Sequence, residues 1–327
     1  MGTEARHEVR PAAAGGDSDC IWPAPLQPGD LLAVVAPASP VAREAFAAGA
    51  AILEGWGLRL AYGEEIFAPR PYGAAADAAV VERLQQAIRD PEVQGIICAR
   101  GGYGTIRLLE RLEPELLAAH PKYFLGFSDI TTLLCLLSQR GGVVTFHGPT
   151  VAHLGEATPA AQEHCRRLLT QPDLEPLCFG DLKVLAPGTA RGPLLGGNLA
   201  ILCSLLGTPF APSLAGHVLL LEDYNEACYR LDRFLQQLRL SGSLKGVRAI
   251  VLGSFTGCGN LTPIWELFAT LGQDLGIPVL AGLPAGHQPD NFTLPLGVEV
   301  RVDSGPRLVE WLEAGARETV QGGREGR

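Results

Sequence analysis

Residues 122–139 read KYFLGFSDITTLLCLLSQ, and the fold is decided there. An apolar run breaks at Gly126-Phe127-Ser128-Asp129, and a helical pattern begins at once over 130–139. Strand, sharp turn and helix form the repeating unit of an α/β protein, in which buried strands alternate with covering helices. Toward the N-terminus the same alternation continues. LLAVVA (31–36), GLRLAY (57–62) and GIICA (95–99) read as strands, with helices over 42–56 and 75–89 between them. VVTFHG (143–148) supplies a fifth strand. Continuous apolar strands separated by helices predict a largely parallel sheet covered on both faces.

Toward the C-terminus, Pro and Gly accumulate over 156–190 around one helical pattern at 159–169, which predicts a linker. The chain then restarts with GPLLGGN (192–198) and a short helix over 199–206. Strands follow at HVLLLED (217–223), AIVLGSF (249–255) and PVLAGLP (278–284), with helices over 226–240 and 263–275. VEVRVD (298–303) and RLVEWLE (307–313) read as a closing hairpin. The expected organisation is an N-terminal α/β domain over 21–155 and a C-terminal one over 191–314. Disordered tails are expected at 1–20 and 315–327.

Bulk properties narrow the function. The 327 residues, 47% hydrophobic, suffice to bury a core without staples. The net charge is −9 and no run of Lys or Arg occurs, which argues against a nucleic-acid partner and against an anionic membrane surface. The eight cysteines form no C-x-x-C pair and no zinc-type spacing with histidine, so free thiols in a reducing compartment are expected and no metal site. Residues 1–20 lack the apolar stretch of a secretory leader, so a cytoplasmic location is expected. The uncharged stretch 192–216 is interrupted by Gly196, Gly197, Asn198, Gly207, Pro209 and Pro212, and does not read as a membrane span.

Four segments carry chemistry. Ser128 sits at a strand-to-helix turn, where a hydroxyl is presented at the sheet edge and a helix start favours a developing oxyanion. The plainer reading is a helix cap. GIICARGGYGT (95–105) ends a strand in a glycine-rich turn whose backbone N–H groups can meet a ligand, with Gly102 the candidate donor, or it is simply a tight turn. Its spacing matches neither a dinucleotide fingerprint nor a Walker loop. Glu222 and Asp223 end a buried strand, where one of them can orient an imidazole, or both can be surface acids ahead of a helix. His287 lies in the Gly/Pro-rich loop LPAGHQPDNFTLPLG (283–297), as a proton acceptor or as a solvated side chain. Taken singly, the plainer readings win. Together they supply nucleophile, base, orienting acid and oxyanion donor, all at strand ends, in the chain order Ser, acid, His that α/β-hydrolases also use. His147, ending a strand in TFHGPT, is the competing base. His120, His153, His164 and His217 fit helix ends or exposed loops.

The chain resembles the LD-carboxypeptidases, also called muramoyl-tetrapeptide carboxypeptidases, and the related microcin C7 immunity peptidases. The likeness runs in order through LQPGDLLAVVAPAS (26–39), GIICARGGYG (95–104), KYFLGFSDIT (122–131), FHGP (146–149), GPLLGGNL (192–199), LLLEDYNE (219–226), LDRFLQQL (231–238) and GHQPDNFTLPLG (286–297). It implies a Rossmann-like N-terminal domain, a mixed-sheet α/β C-terminal domain and a site at their interface. It implies Ser128 as nucleophile, His287 as base, Glu222 as orienting acid, and an oxyanion hole from the N–H groups of Gly102 and Asp129. It also implies a murein peptide substrate that loses a terminal D-alanine, no cofactor, and a homodimer. Tyr103 and Asn291 are candidate substrate contacts, and Tyr103 and Tyr224 candidate aromatic platforms should the substrate instead be a peptidyl-nucleotide. A non-catalytic anion-binding protein built on the Gly102 turn is the rival from outside enzymology.

Overall fold

Fourteen short strands arrange the described residues into two sheets that face each other across a buried helix. The computed structural model describes residues 20–69, 73–171 and 178–312. Apart from Cys20, the expected tails at 1–20 and 315–327 lie outside the described residues.

In chain order the first half comprises β1 (Leu31–Val35), α1 (Arg43–Gly55), β2 (Arg59–Ala61), α2 (Ala74–Arg89), β3 (Val93–Cys98), α3 (Glu115–Ala119), β4 (Tyr123–Gly126), α4 (Thr131–Gln139), β5 (Thr145–His147) and α5 (Val151–Leu154). α6 (Pro159–Thr170), β6 (Cys178–Phe179), β7 (Lys183–Ala186), β8 (Thr189–Asn198) and α7 (Leu199–Ser204) follow. The chain closes with β9 (Val218–Tyr224), α8 (Cys228–Leu240), β10 (Ala249–Thr256), α9 (Leu261–Leu275), β11 (Val279–Ala281), β12 (Leu294–Leu296), β13 (Glu299–Asp303) and β14 (Leu308–Trp311).

The first sheet runs β12-β5-β4-β3-β1-β2. β1 to β5 are parallel, as the apolar strand pattern predicts, and β12 joins antiparallel through Leu294 opposite His147. The second sheet runs β6-β14-β13-β8-β9-β10-β11-β7. Its centre, β8 to β11, is parallel, and the flanking strands are antiparallel.

Two sequence expectations need correction. The stretch 156–190 is no bare linker: it carries α6, β6 and β7, and β7 closes one edge of the second sheet against β11. Its Pro and Gly residues signal turns between these elements, and a four-residue edge strand has too little sequence pattern of its own to be seen. The boundary at 155 is also crossed from the other side, because β12 returns to the first sheet.

α4 explains how the halves are joined. Every residue from Thr131 to Ser138 is buried. A helix apolar all round must be enclosed rather than lie on a surface. α4 is tied to the second half by Thr131 Oγ1, which accepts from the Asn198 N–H at 3.0 Å, and by Gln139, whose side chain hydrogen-bonds both the N–H and the C=O of Ser213. Gly197 permits this approach. A Cβ there would stand 2.6 Å from Thr131 Oγ1, and its φ of +141° disfavours side chains in any case. The uncharged stretch 192–216 is thus the end of β8, α7 and a turn-rich return. Among the described residues no helix is long and apolar enough to cross a membrane.

Candidate active site

The turn after β4 holds Ser128 in the left-handed region, with φ +66°. For a residue with a Cβ this conformation costs on the order of 1–2 kcal/mol and persists only where the surroundings enforce it. Here β4 ends at Gly126, Phe127 is extended, and a short 3-10 turn from Ser128 to Ile130 leads directly into α4. The strained turn sets the Ser128 hydroxyl at the carboxyl edge of the first sheet.

The second half brings two side chains to that hydroxyl. Ser128 Oγ lies 3.0 Å from His287 Nε2, and His287 Nδ1 lies 2.7 Å from Glu222 Oε2. With the Nδ1 proton donated to the carboxylate, Nε2 is left to accept from the serine hydroxyl. The structure therefore unites three residues separated by 94 and 65 positions in the sequence.

Glu222 and Asp223 illustrate how a strand sorts adjacent side chains to opposite faces. Glu222 is completely buried and meets His287. Asp223 accepts from Asn198 Nδ2, Ala200 N–H and the Tyr224 N–H, and so fixes the start of α7. Burial pushes the Asp223 carboxyl up to about 6 despite these donors. Tyr224, two residues from Glu222, returns to the first face and stacks on the His287 ring with centroids 4.8 Å apart and planes at 17°. Phe127 also meets His287, at 4.8 Å and 58°.

The glycine-rich turn after β3 packs against the serine. A Cβ on Gly101 would stand 2.8 Å from Ser128 Cβ and 3.1 Å from its Oγ, so only glycine fits. Gly102, at φ +119°, lines the same cavity. Asp129 is buried, and it binds the two turns together. Its carboxylate accepts from the Thr105 N–H at 2.9 Å, and its carbonyl accepts from Thr105 Oγ1 at 2.7 Å.

Other expected residues fall elsewhere. Tyr103 is half exposed and does not line the cavity; its N–H donates to Ser39 Oγ at 3.1 Å. The aromatic ring at the imidazole is Tyr224 instead. Asn291 is completely buried, and its Oδ1 accepts from the Gly286 N–H at 2.8 Å, so it clamps the loop carrying His287 rather than facing the cavity. His147 is completely buried, neither ring nitrogen has a hydrogen-bond partner among the described residues, and burial pushes it down to about 4. His153 and His164 are not at exposed positions either. Both are largely buried on helices; His153 lines the cavity and is likewise pushed down to about 4 by burial, and His164 meets the Thr293 carbonyl.

The resulting cavity encloses about 610 Å³ between the two halves and is open to solvent. Sequence reasoning missed Gly101, Phe127, His153, Arg100 and Glu156 as lining residues. The i, i+2 relation along β9 is the signal that separates Tyr224 from Tyr103. Among the described residues no group of three or more His, Cys, Asp or Glu side chains is placed to hold a metal ion.

Residues 32–148 match the model of the LD-carboxypeptidase N-terminal domain, and 191–302 match that of its C-terminal domain. The chain belongs to the LD-carboxypeptidase family. A putative carboxypeptidase of Streptomyces coelicolor is 41% identical to it over 297 residues, covering 88% of this chain and 94% of that protein. The murein tetrapeptide carboxypeptidase of Pseudomonas aeruginosa is 35% identical, with 89% and 97% covered. The crystal structure of muramoyltetrapeptide carboxypeptidase from Oxalobacter formigenes superposes with a TM-score of 0.75 at 29% identity, covering 88% of this chain and all of that one. This LD-carboxypeptidase family member is accordingly a serine carboxypeptidase of two-domain α/β architecture.

Proposed function

We propose that this enzyme releases the terminal D-alanine of murein tetrapeptide, with Ser128 as nucleophile, His287 as general base and Glu222 as orienting acid. The observation that carries the reading is the continuous hydrogen-bonded line from Ser128 Oγ through His287 to Glu222. The substrate is argued from the names of the relatives, two of which are murein peptide carboxypeptidases.

In this mechanism His287 Nε2 takes the hydroxyl proton as Ser128 Oγ bonds to the carbonyl carbon of the diamino acid. Glu222 holds the ring by its Nδ1–H and stabilises the imidazolium. The N–H groups of Gly102 and Asp129 receive the oxyanion, each worth about 3 kcal/mol of barrier in comparable sites. His287 then gives its proton to the D-alanine nitrogen, and the C–N bond breaks. Water attacks the ester through the same base and restores Ser128. The stacked Tyr224 and the Phe127 edge keep the ring in plane during both transfers. No cofactor takes part. The enzyme works in the cytoplasm on recycled peptides and pairs as a homodimer.

Incubation with murein tetrapeptide should yield tripeptide and free D-alanine, followed by chromatography. Intact tetrapeptide beside a hydrolysed peptidyl-nucleotide amide would move the enzyme to the immunity type. Serine-probe silence with tight, unhydrolysed ligand would make it a binding protein.

A further inference from the structure

The cavity beside Ser128 presents two charged side chains that the reaction above leaves without a task. Arg100 immediately precedes the Gly101-Gly102 turn, and Glu156 follows α5; both line the cavity and both are exposed to it. Among the described residues neither belongs to an ion pair. The Arg100 guanidinium has one long contact, Nη1 to the Pro40 carbonyl at 3.5 Å, at the outer limit of a hydrogen bond. Arg107, Arg43 and Arg83 are paired with Asp77, Glu64 and Glu65, whereas Arg59 and Arg140, like Arg100, form no ion pair among the described residues and donate to backbone carbonyls. What sets Arg100 apart is that it lines the cavity holding Ser128 and His287.

We propose that Arg100 receives the terminal carboxylate of the peptide, and that Glu156 receives the side-chain ammonium of the residue on its acyl side. The cavity thereby selects dipolar peptides with a free C-terminus. This rests on the carboxypeptidase reading, and it names the groups that make the enzyme an exopeptidase. Only a nitrogen and one carbon separate the scissile carbonyl from the terminal carboxylate. A cation that reads the carboxylate must therefore start within a side chain's length of the oxyanion donors. Arg100 is two positions before Gly102, and Gly101 between them touches Ser128. The guanidinium fork matches a carboxylate with two parallel hydrogen bonds, which a lysine cannot do. Glu156 lines the cavity together with His153 and forms no ion pair among the described residues, so its carboxylate is open to a cation from the substrate. A diamino acid is the residue class that places an extra ammonium on the acyl side.

The test is binding to the Ser128→Ala enzyme, measured by calorimetry, so that no turnover is needed. Three ligands are compared: murein tetrapeptide, its C-terminal carboxamide, and the peptide acetylated on its side-chain amine. Charge-assisted hydrogen bonds predict that the free acid binds about 30-fold tighter than the carboxamide. Arg100→Gln in the same background should bring acid and carboxamide to equal affinity. Glu156→Gln should weaken the free-amine peptide about tenfold and leave the acetylated one unchanged. Both side chains are exposed, and an unchanged Tm shows that the variants fold. Equal affinities for acid and carboxamide, discrimination that survives Arg100→Gln, or no binding of any ligand overturns the proposal. Discrimination without D-alanine release from the unsubstituted enzyme sinks the hydrolytic reading alone; release without discrimination sinks this one alone.

Discussion

Two histidines end up beside the same carboxylate, yet the end of β5 and the loop after β11 treat them in opposite ways. His147 is locked in a strand, paired by its backbone to Gly126 and Leu294, with no access to solvent. His287 sits in a loop, clamped by Asn291 through Gly286, with its side chain 16% exposed and a hydrogen-bond partner on each ring nitrogen. Burial without a partner makes an imidazole a neutral spacer. Partial exposure with a carboxylate on one nitrogen and a hydroxyl on the other makes it a proton carrier. A histidine at a strand end is therefore too coarse a criterion for a base; the partners decide.

The sharpest way to break that contrast is to remove each ring. His287→Ala should lower kcat/KM about 10⁶-fold, as loss of a base that acts with its nucleophile does. His147→Gln should stay within about tenfold, because its ring touches no reacting atom. Comparable losses from both, in steady-state D-alanine release, would erase the distinction. Next in size, Glu222→Gln should cost about 10⁴-fold in kcat with little change in KM, since the amide presents the wrong hydrogen-bonding pattern to Nδ1.

A third prediction concerns stability. His147 is neutral in the fold down to about pH 4, whereas its unfolded value is 6.5. Its contribution is thus complete above pH 6.5 and is lost as pH falls toward 4, by roughly 3 kcal/mol. His153 acts in the same sense. Asp223, raised to about 6, acts in the opposite one, favouring the fold as pH falls from 6 toward 4. Urea unfolding at pH 7 and pH 5 should show a shallower acid loss for His147→Gln than for the unsubstituted chain. Identical slopes would mean that the buried ring titrates in the fold as it does in the unfolded chain. Smallest of all, Ser128→Gly should be about 1 kcal/mol more stable than Ser128→Ala, because only glycine adopts φ +66° without strain. Equal stabilities would place the cost of that turn elsewhere.

Much of this was legible before any coordinates. The apolar runs give β1, β3, β4, β9 and β10 within a residue or two, because strands buried on both faces write continuous hydrophobic sequence. The elbow at Ser128 is legible because a strand and a helix meet with no residues to spare. What stays hidden depends on distant partners. β7 and β12 are short edge strands whose pairing is set by the sheets they join. Glu222 and Asp223 look equivalent in the sequence, and only the face of β9 separates them. Arg100 and Glu156 are ordinary surface charges until the fold brings both into the lining of the cavity between the halves.

The central claim is that Ser128 is the activated nucleophile of this hydrogen-bonded line. Mass spectrometry after treatment with a fluorophosphonate tests it most directly. The account predicts one adduct per chain, mapped to the peptide carrying Ser128 and abolished in His287→Ala. An adduct on a different residue, or none at saturating probe, would contradict it.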